Sequence, residues 1–398
     1  MELKKYKLGD IAEILISSID KKSKEGESPV RLCNFVDVYH NWAITADMVS
    51  NFMEATTSEK NIDRFSLKKG YVAFTKDSET RDDIGVPTYI AEDLDNTVLG
   101  YHCALVKPDE NIILGKYLNA FLHSDYIKRY FELNATGSGM RYTLSVDTLY
   151  NIPILAPSLD IQKRIGELFS NIDRKICINR SLNHYLEEML NLITSRFIFS
   201  AESLEKKKIG EIAEVKAGGD CPNIFSKIKT NDCQVPIYSN GIEKRGLYGF
   251  TNKSVINRRC VTVAARGTIG HCERRLYPFV PIIRLLSLIP IDEGGDVYLH
   301  QVISGMTFKK NGSVQQQLTV PEISCMEIPY PNKETLKLYN DITSPIIHSI
   351  EQNISDLEVI TSLRDELLSL LMNGQVSIKQ LNNDLASHNI IAIYVLCS

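Results

Sequence analysis

Residues 8–14 read LGDIAEI, and residues 209–215 read IGEIAEV. Four of the seven positions are identical and the other three are conservative exchanges. A phrase that returns after roughly two hundred residues divides the 398-residue chain into two comparable halves, so the fold is read first as an internal repeat.

A second shared segment closes each half. Residues 144–157 read LSVDTLYNIPILAP and residues 318–331 read LTVPEISCMEIPYP. Both start with an apolar residue, a hydroxyl residue and Val, and both end in Ile-Pro with a further Pro. A Gly-Ser pair precedes each, Gly137-Ser138 and Gly312-Ser313.

After each closing Pro comes a long apolar stripe. In the first half it runs Ile165, Leu168, Ile172, Ile176, Leu182, Leu186, Met189, Ile193, Phe197, with one gap spanned by Asn179. In the second it runs Tyr339, Ile342, Ile346, Ile350, Leu357, Ile360, Leu363, Leu367, Leu371, with a gap spanned by Asn353. Steps of three and four predict an amphipathic helix written twice. Residues 159–196 as one helix would extend about 55 Å, far beyond the usual ~11–12 residues. A narrow stripe of that length calls for a partner of similar length. The two helices are therefore expected to pair like an antiparallel coiled coil, with Asn179 and Asn353 fixing register. Pro345 falls inside the second stripe, so the helix either kinks there or begins there with Ser344 as its cap.

The resulting order is block, long helix, block, long helix. The blocks mix short β-rich runs, YVAFT (71–75), CALVKP (103–108) and VTVAA (261–265), with helical stretches such as GKYLNAFLHSDYIKRYF (115–131). The predicted class of the blocks is α+β or α/β, in a pseudo-two-fold internal repeat. EKKK (205–208) reads as a hinge into the second block.

Composition is that of a globular protein: 43% hydrophobic, 24% charged, formal net charge −4. The N-terminal MELKKYKLGD shows no signal peptide, and no run reaches the ~20 apolar residues of a membrane span. Nine scattered cysteines are expected to be reduced thiols in a cytoplasm. Cys221, Cys233, Cys260 and Cys272, with His271, raise a zinc reading, but eleven residues separate each pair where a knuckle needs two to four.

The common catalytic signatures do not occur. There is no phosphate-binding G-x-x-x-x-G-K-[ST], no dinucleotide G-x-G-x-x-G, no H-E-x-x-H and no G-x-S-x-G. Nor is there a glycine-rich loop for S-adenosylmethionine or an Asn-Pro-Pro-Tyr type motif. KDSETRDDIG (76–85) lacks the Gly and the bidentate Glu of a calcium loop.

Basic loops with aromatics among them do occur. From Glu243 to Arg275 there are eight Lys or Arg (Lys244, Arg245, Lys253, Arg258, Arg259, Arg266, Arg274, Arg275) against two Glu, with Tyr248 and Phe250 interleaved. Arg and Asn are the side chains that read guanine and adenine edges, and Lys and Arg hold phosphates. Two similar blocks on one helix pair would make two reading heads, which on DNA require a separation of ~34–36 Å per turn. Because the blocks differ in sequence, each would read a different half-site.

Several stretches resemble the DNA-specificity subunits of type I restriction–modification systems. GYVAFTKDSETRDDIGVPTYI (70–90) with LGYHCALVKP (99–108) resembles one kind of target-recognition domain. PIYSNGIEKRGLYGFT (236–251) with VTVAARGTIG (261–270) resembles another. SLDIQKRIGELFSNIDRKICINRSLNHYLEEMLNLITSRF (158–197) and RDELLSLLMNGQV (364–376) resemble the two spacer helices and their exits. The resemblance implies a first target-recognition domain over 1–157, a first spacer helix over 158–200, a second domain over 201–331, a second spacer over 332–376 and a tail over 377–398. It implies no catalytic site, cofactor or metal in this chain. S-adenosylmethionine, ATP and Mg belong by the same resemblance to partner subunits: two methyltransferase copies and the restriction and translocase subunits, acting on double-stranded DNA. The second helix departs from the pattern in lacking the Leu-x-x-Gln opening that Leu159 and Gln162 give the first.

The residues expected to contact DNA are Lys76, Ser78, Arg81, Arg141 and Tyr142 in the first domain. In the second they are Asn240, Lys244, Arg245, Arg266, Thr268 and Gln316. The apolar helix faces not used in pairing, and the block surfaces beside them, are the expected methyltransferase docking sites. Two other readings stay open on the residues alone. A nuclease or methyltransferase with an unrecognised site predicts metal or cofactor dependence, and a coiled-coil scaffold predicts no salt-dependent DNA affinity.

Overall fold

The computed structural model describes residues 2–139, 141–200, 204–308 and 317–372. The tail over 377–398, the second Gly-Ser pair and Gln316 lie outside the described residues.

The repeated phrase is the same small assembly in both halves. Leu8–Ile11 is one helical turn followed by the strand Ala12–Ile16, and Ile209–Ile212 is one turn followed by Ala213–Ala217. The conserved spacing buries Leu8 and Ile11 in one half and Ile209 and Ile212 in the other. The closing segments form the turns Val146–Tyr150 and Val320–Ser324, then the strands Pro153–Ala156 and Glu327–Tyr330. Opening and closing segments meet. Lys4–Lys7 pairs antiparallel with Pro153–Ala156, and Glu205–Lys208 pairs antiparallel with Glu327–Tyr330. The Leu8 amide donates to the Ile152 carbonyl and the Ile209 amide to the Met326 carbonyl, both at 2.9 Å. Gly9 is required by this clasp, since a Cβ there would lie 2.3 Å from Cδ1 of Tyr150. EKKK is thus a clasp strand and not a hinge. Its lysines alternate along an edge whose hydrogen bonds the closing strand takes up.

The contacts divide the chain into two units, residues 1–180 with 354–398, and residues 181–353. Each unit therefore owns half of each long helix.

In the first unit a five-stranded sheet runs in the order Ala12–Ile16, Cys103–Pro108, Val72–Thr75, Pro87–Ile90, Ala43–Ile44, antiparallel except for the last pair. Both faces are covered, so its central strands are buried without the alternation of a half-exposed sheet. Val72, Phe74, Ala104 and Val106 enter one core, and Ala73, Cys103 and Leu105 the other. The first core also takes Ile165, Phe169, Ile172 and Ile176 from the first long helix and Ile360, Leu367, Leu368 and Leu371 from the second. Full burial of each such side chain contributes about 1.5–3 kcal/mol. The stretch 115–131 is broken into Gly115–Leu122 and Asp125–Asn134, because Ser124 leaves the helical region at φ −66°, ψ 151°.

The second unit has a four-stranded antiparallel sheet in the order Ala213–Ala217, Leu286–Pro290, Cys260–Val263, Cys272–Arg275. A three-stranded sheet over Leu247–Thr251, Val235–Tyr238 and Val280–Pro281 carries the loops at 239–246 and 282–285.

The long helices are Leu159–Ser200 and Lys333–Met372. Within the second unit their antiparallel sense is fixed by two bonds: Thr194 meets Tyr339, and Asn183 meets Asn353. The second helix passes through Pro345 and starts well before it, which removes Ser344 as a cap. The Thr343 and Ser344 hydroxyls instead bond back to the Tyr339 and Asn340 carbonyls.

The buried face departs from the expected stripe. Leu182, Met189 and Ile342 are exposed, whereas Leu190, Thr194, Thr343 and Ile347 are buried. A straight helix repeats at 3.6 residues, so a seam written at 3.5 drifts around its surface. The polar register also differs from expectation. Asn353 donates to Asn183 Oδ1 at 2.9 Å, while Asn179 is buried with no partner for its Nδ2 among the described residues.

Candidate nucleic-acid interface

In the first domain the strand Asp77–Ser78 pairs with Arg141–Thr143, which pairs with Thr136–Ser138. Ser78 lies opposite Tyr142 in this ladder. The hairpin is tight at Gly137, where a Cβ would meet the Arg141 carbonyl oxygen at 2.1 Å. Arg81 sits over the Tyr142 ring, 5.1 Å from its centroid. The sequence candidates Ser78, Arg141 and Tyr142 therefore share one small sheet, and Arg81 lies against it.

Lys76 has a different role. Its Nζ bonds Asp77 Oδ1 at 3.1 Å and Thr143 Oγ1 at 2.9 Å. Asp77 also bonds His102 Nδ1. Burial works to raise the Asp77 pKa, but the bonds from Thr143, His102 and Lys76 outweigh it and hold the carboxyl below its ordinary value. Lys76 is part of an ion-paired knot under the sheet.

Beside the sheet opens a cleft of about 510 Å³ lined by Phe35, Tyr39, Ser78, Glu79, His102 and Arg141, among others. Phe35 and Tyr39 stack at 5.8 Å between centroids. Sequence reading missed this aromatic wall. Its only signal was two rings four residues apart in FVDVY, a spacing that equally marks a core helix.

In the second domain the candidates gather around the loop closed by Ser239 N to Gly246 O at 2.8 Å. Lys244 and Arg245 occupy left-handed backbone conformations, φ 47° and 56°, in a turn closed by Arg245 N to Ile242 O. Lys244 projects into solvent. Arg245 is partly engaged, with Nε 2.7 Å from Glu273 Oε2. Arg266 is exposed and is steadied by two bonds to Gln317 Oε1, at 3.1 and 2.6 Å.

Asn240 is internal wiring. Its Nδ2 donates to the Ile283 carbonyl at 2.7 Å, and its Oδ1 accepts from the Ala265 amide at 2.8 Å. Thr268 donates its hydroxyl to the Asn240 carbonyl at 3.2 Å. Both residues therefore shape loops.

The basic run is also thinner at the surface than its sequence suggests. Arg274 is bridged to Asp296 and Glu351 at 3.0 and 3.1 Å. Arg275 is 5% exposed, stacked on Tyr238 at 3.7 Å and bonded to Thr262 and to the Arg245 carbonyl. Arg258 bonds the Pro290 carbonyl at 2.7 Å. A cluster that sequence reading missed compensates in part: Lys227 lies 4.3 Å from the centroid of the exposed Tyr248 ring, which packs against Phe225.

Cys260 and Cys272 are buried, and desolvation pushes both thiols up to about 12. Among the described residues no group of three or more His, Cys, Asp or Glu is arranged to hold a metal ion, and no helix is long and apolar enough to cross a membrane.

These features define a class: a duplicated loop-bearing domain, each copy clasped at its ends and rooted on a pair of long helices. The model of the type I restriction modification DNA specificity domain matches twice, over residues 1–188 and 201–359. The chain belongs to that family. It is 32% identical over 140 residues to a Mycoplasma pneumoniae protein designated a type I specificity subunit, covering 35% of this chain and 42% of that one. It thus spans less than half the length of that relative. It is 20% identical to the specificity subunit of the type I restriction enzyme HindI of Haemophilus influenzae, over 94% of this chain and 99% of that one. The crystal structure of the S subunit of a type I restriction-modification system from M. genitalium shares the fold, with a TM-score of 0.59 at 15% identity, over 92% of this chain and 95% of that one.

Proposed function

We propose that this chain is the DNA-reading, non-catalytic subunit of a type I restriction–modification complex, with each domain reading its own half of an asymmetric double-stranded site. The observation that carries the reading is a repeated frame with unlike loops. The clasp, the helical turns and the sheet strand recur, whereas the surfaces they hold differ: an Arg81–Tyr142 hairpin beside an aromatic cleft in one domain, and the Lys244, Arg245 and Arg266 loops in the other. Gln316, whose placement is not described, belongs to the same expected surface.

Methyltransferase subunits are the proposed helical partners, in two copies, with S-adenosylmethionine on them and ATP and Mg on the restriction and translocase subunits. Support for helical docking comes from the first long helix. Leu182, Tyr185, Met189 and Leu192 are 44%, 66%, 42% and 71% exposed. Their steps of three, four and three form a heptad seam that the second helix does not cover.

The test is co-expression with the neighbouring methyltransferase and methylation-sensitive sequencing of the host DNA. A bipartite adenine-methylated motif that vanishes on deletion of this chain is expected. A stable complex with an unchanged methylome would refute the DNA-reading role, and no complex would refute the assembly.

A further inference from the structure

Three loops of the second domain meet at one residue. Through Nδ2, Oδ1 and its own carbonyl, Asn240 joins its loop to the Ile283 carbonyl, the Ala265 amide and the Thr268 hydroxyl. Two of these loops carry Lys244, Arg245 and Arg266. The third, Ile282–Leu285, is a tight turn closed by Leu285 N to Ile282 O at 3.0 Å.

Both central residues of that turn are left-handed, Ile283 at φ 53° and Arg284 at φ 60°. Turns of this hand are dominated by Asn and Gly, and a β-branched residue there is an outlier. The backbone is clamped into place. Ile283 N donates to Gly219 O at 2.9 Å, Arg284 N to Gly218 O at 3.1 Å, and Gly218 N to Leu285 O at 2.8 Å. The clamp needs a glycine, because a Cβ on Gly218 would lie 2.7 Å from the Pro281 carbonyl. Strain of this kind persists only where surroundings over-determine it, and it concentrates at ligand contacts.

The side chains kept at this cost are not used by the fold. Ile283 is 48% exposed, and Arg284 is exposed with no ion pair among the described residues. Asn-Gly would make a more stable turn. A phosphate contact would need only a charge on a relaxed loop. A backbone that fixes the direction in which an arginine leaves the chain, beside an apolar neighbour, is what a base edge requires, since bidentate donation to guanine O6 and N7 depends on angle as well as distance.

We propose that the Ile283–Arg284 turn is a base-reading element of the second half-site, with Arg284 donating to a guanine edge, Ile283 lying against adjacent apolar base surface, and Asn240 acting as its positioning residue. The inference rests on the DNA-reading role proposed above.

The test uses the full chain in complex with its methyltransferase. Sequencing of methylated host DNA first supplies the wild-type motif, and absence of a two-part motif would overturn the underlying role and this inference together. With the motif in hand, affinities are measured for duplexes substituted at each position of the second half-site. Arg284→Asn suits the turn and should leave the melting temperature equal or higher. It is expected to erase discrimination for guanine at one position, on the order of ten- to a hundredfold, with the first half-site unaffected. Asn240→Ala should relax that position and its neighbours while the first half-site stays sharp. Equal weakening on all duplexes would assign Arg284 to a phosphate and overturn the proposal. Unchanged discrimination would overturn it, as would loss of all binding at low salt with the fold intact by circular dichroism.

Discussion

The hydroxyls of Thr194 and Tyr339 lie 2.7 Å apart, one on each long helix, and both residues are buried. Tyr339 also packs against Phe197 and Tyr298, with ring centroids 4.9 and 5.3 Å away. The contact ties a polar bond to an aromatic cluster where two helices of opposite direction cross.

Removing only the hydroxyl tests the bond apart from the packing. Tyr339→Phe is expected to cost about 1 kcal/mol, since Thr194 keeps its bond to the Leu190 carbonyl at 2.8 Å. Tyr339→Ala should cost about 3–5 kcal/mol through the cavity it opens. Urea unfolding of the three proteins, compared at constant m, gives both values.

Gly166 sets how closely the first long helix approaches Gly115–Leu122. A Cβ there would lie 2.7 Å from Lys116 Cβ and 3.1 Å from the Tyr117 amide nitrogen. Gly166→Leu should lower stability by about 1–3 kcal/mol despite its better helix propensity. Thermal melting checks this, and a melting temperature at or above wild type would refute the close contact.

Two partly buried histidines make both units acid-sensitive. His123, stacked on Trp42 at 4.1 Å, is brought down to about 3 by desolvation, helped by Arg364 and Lys128. Desolvation, then Arg274, brings His300 down to about 4. Each stays neutral when folded but takes a proton near 6.5 when unfolded, so stability should fall as pH drops below about 6.5. Burial raises Asp173 to about 6, which acts in the opposite sense between about 4 and 6. Denaturation midpoints from pH 7.5 to 4 should fall, and His123→Gln should flatten that slope.

The exposed seam on the first long helix should matter for assembly and little for folding. Tyr185→Ser with Leu192→Ser is expected to leave melting within about 1 kcal/mol of wild type, as surface changes usually do, while sharply reducing co-purified methyltransferase. Undiminished co-purification would move the docking site elsewhere.

Lys244 and Lys76 should behave differently on DNA. For the assembled complex, Lys244→Ala should lower the slope of log affinity against log salt by about 0.9, the value of one lost phosphate contact. Lys76→Met should mainly destabilise the first domain, because it strips Asp77 and Thr143 of a partner. Binding titrations across salt, paired with melting, separate the two.

Much of the architecture was legible because periodicity and repetition report backbone shape. The two phrases at 8 and 209 lead to two clasped domains, and the stripes lead to the two helices. The face of each helix was less legible. Leu182 and Leu190 are equally apolar, and only the drift of a 3.6-residue turn decides which is covered. Polar residues were least legible. Asn240, Lys76 and Arg275 have the chemistry of DNA contacts, but partners distant in sequence, and for Lys76 also its neighbour Asp77, consume that chemistry. Conversely, Ile283-Arg284 has no turn signature, so nothing local marks its left-handed backbone.

The division of the long helices between units bears on the order in which the chain can fold during synthesis. Ile165, Phe169, Ile172 and Ile176 share their core with Ile360, Leu367, Leu368 and Leu371. At ~5–20 residues per second, an apolar helix face emerging from the ribosome waits roughly 10–40 s for that partner. The second unit, contiguous over 181–353, is complete in the interval. The domain translated first is therefore the one finished last, and a chain cut before residue 354 would leave its first-made core open to chaperones and to aggregation.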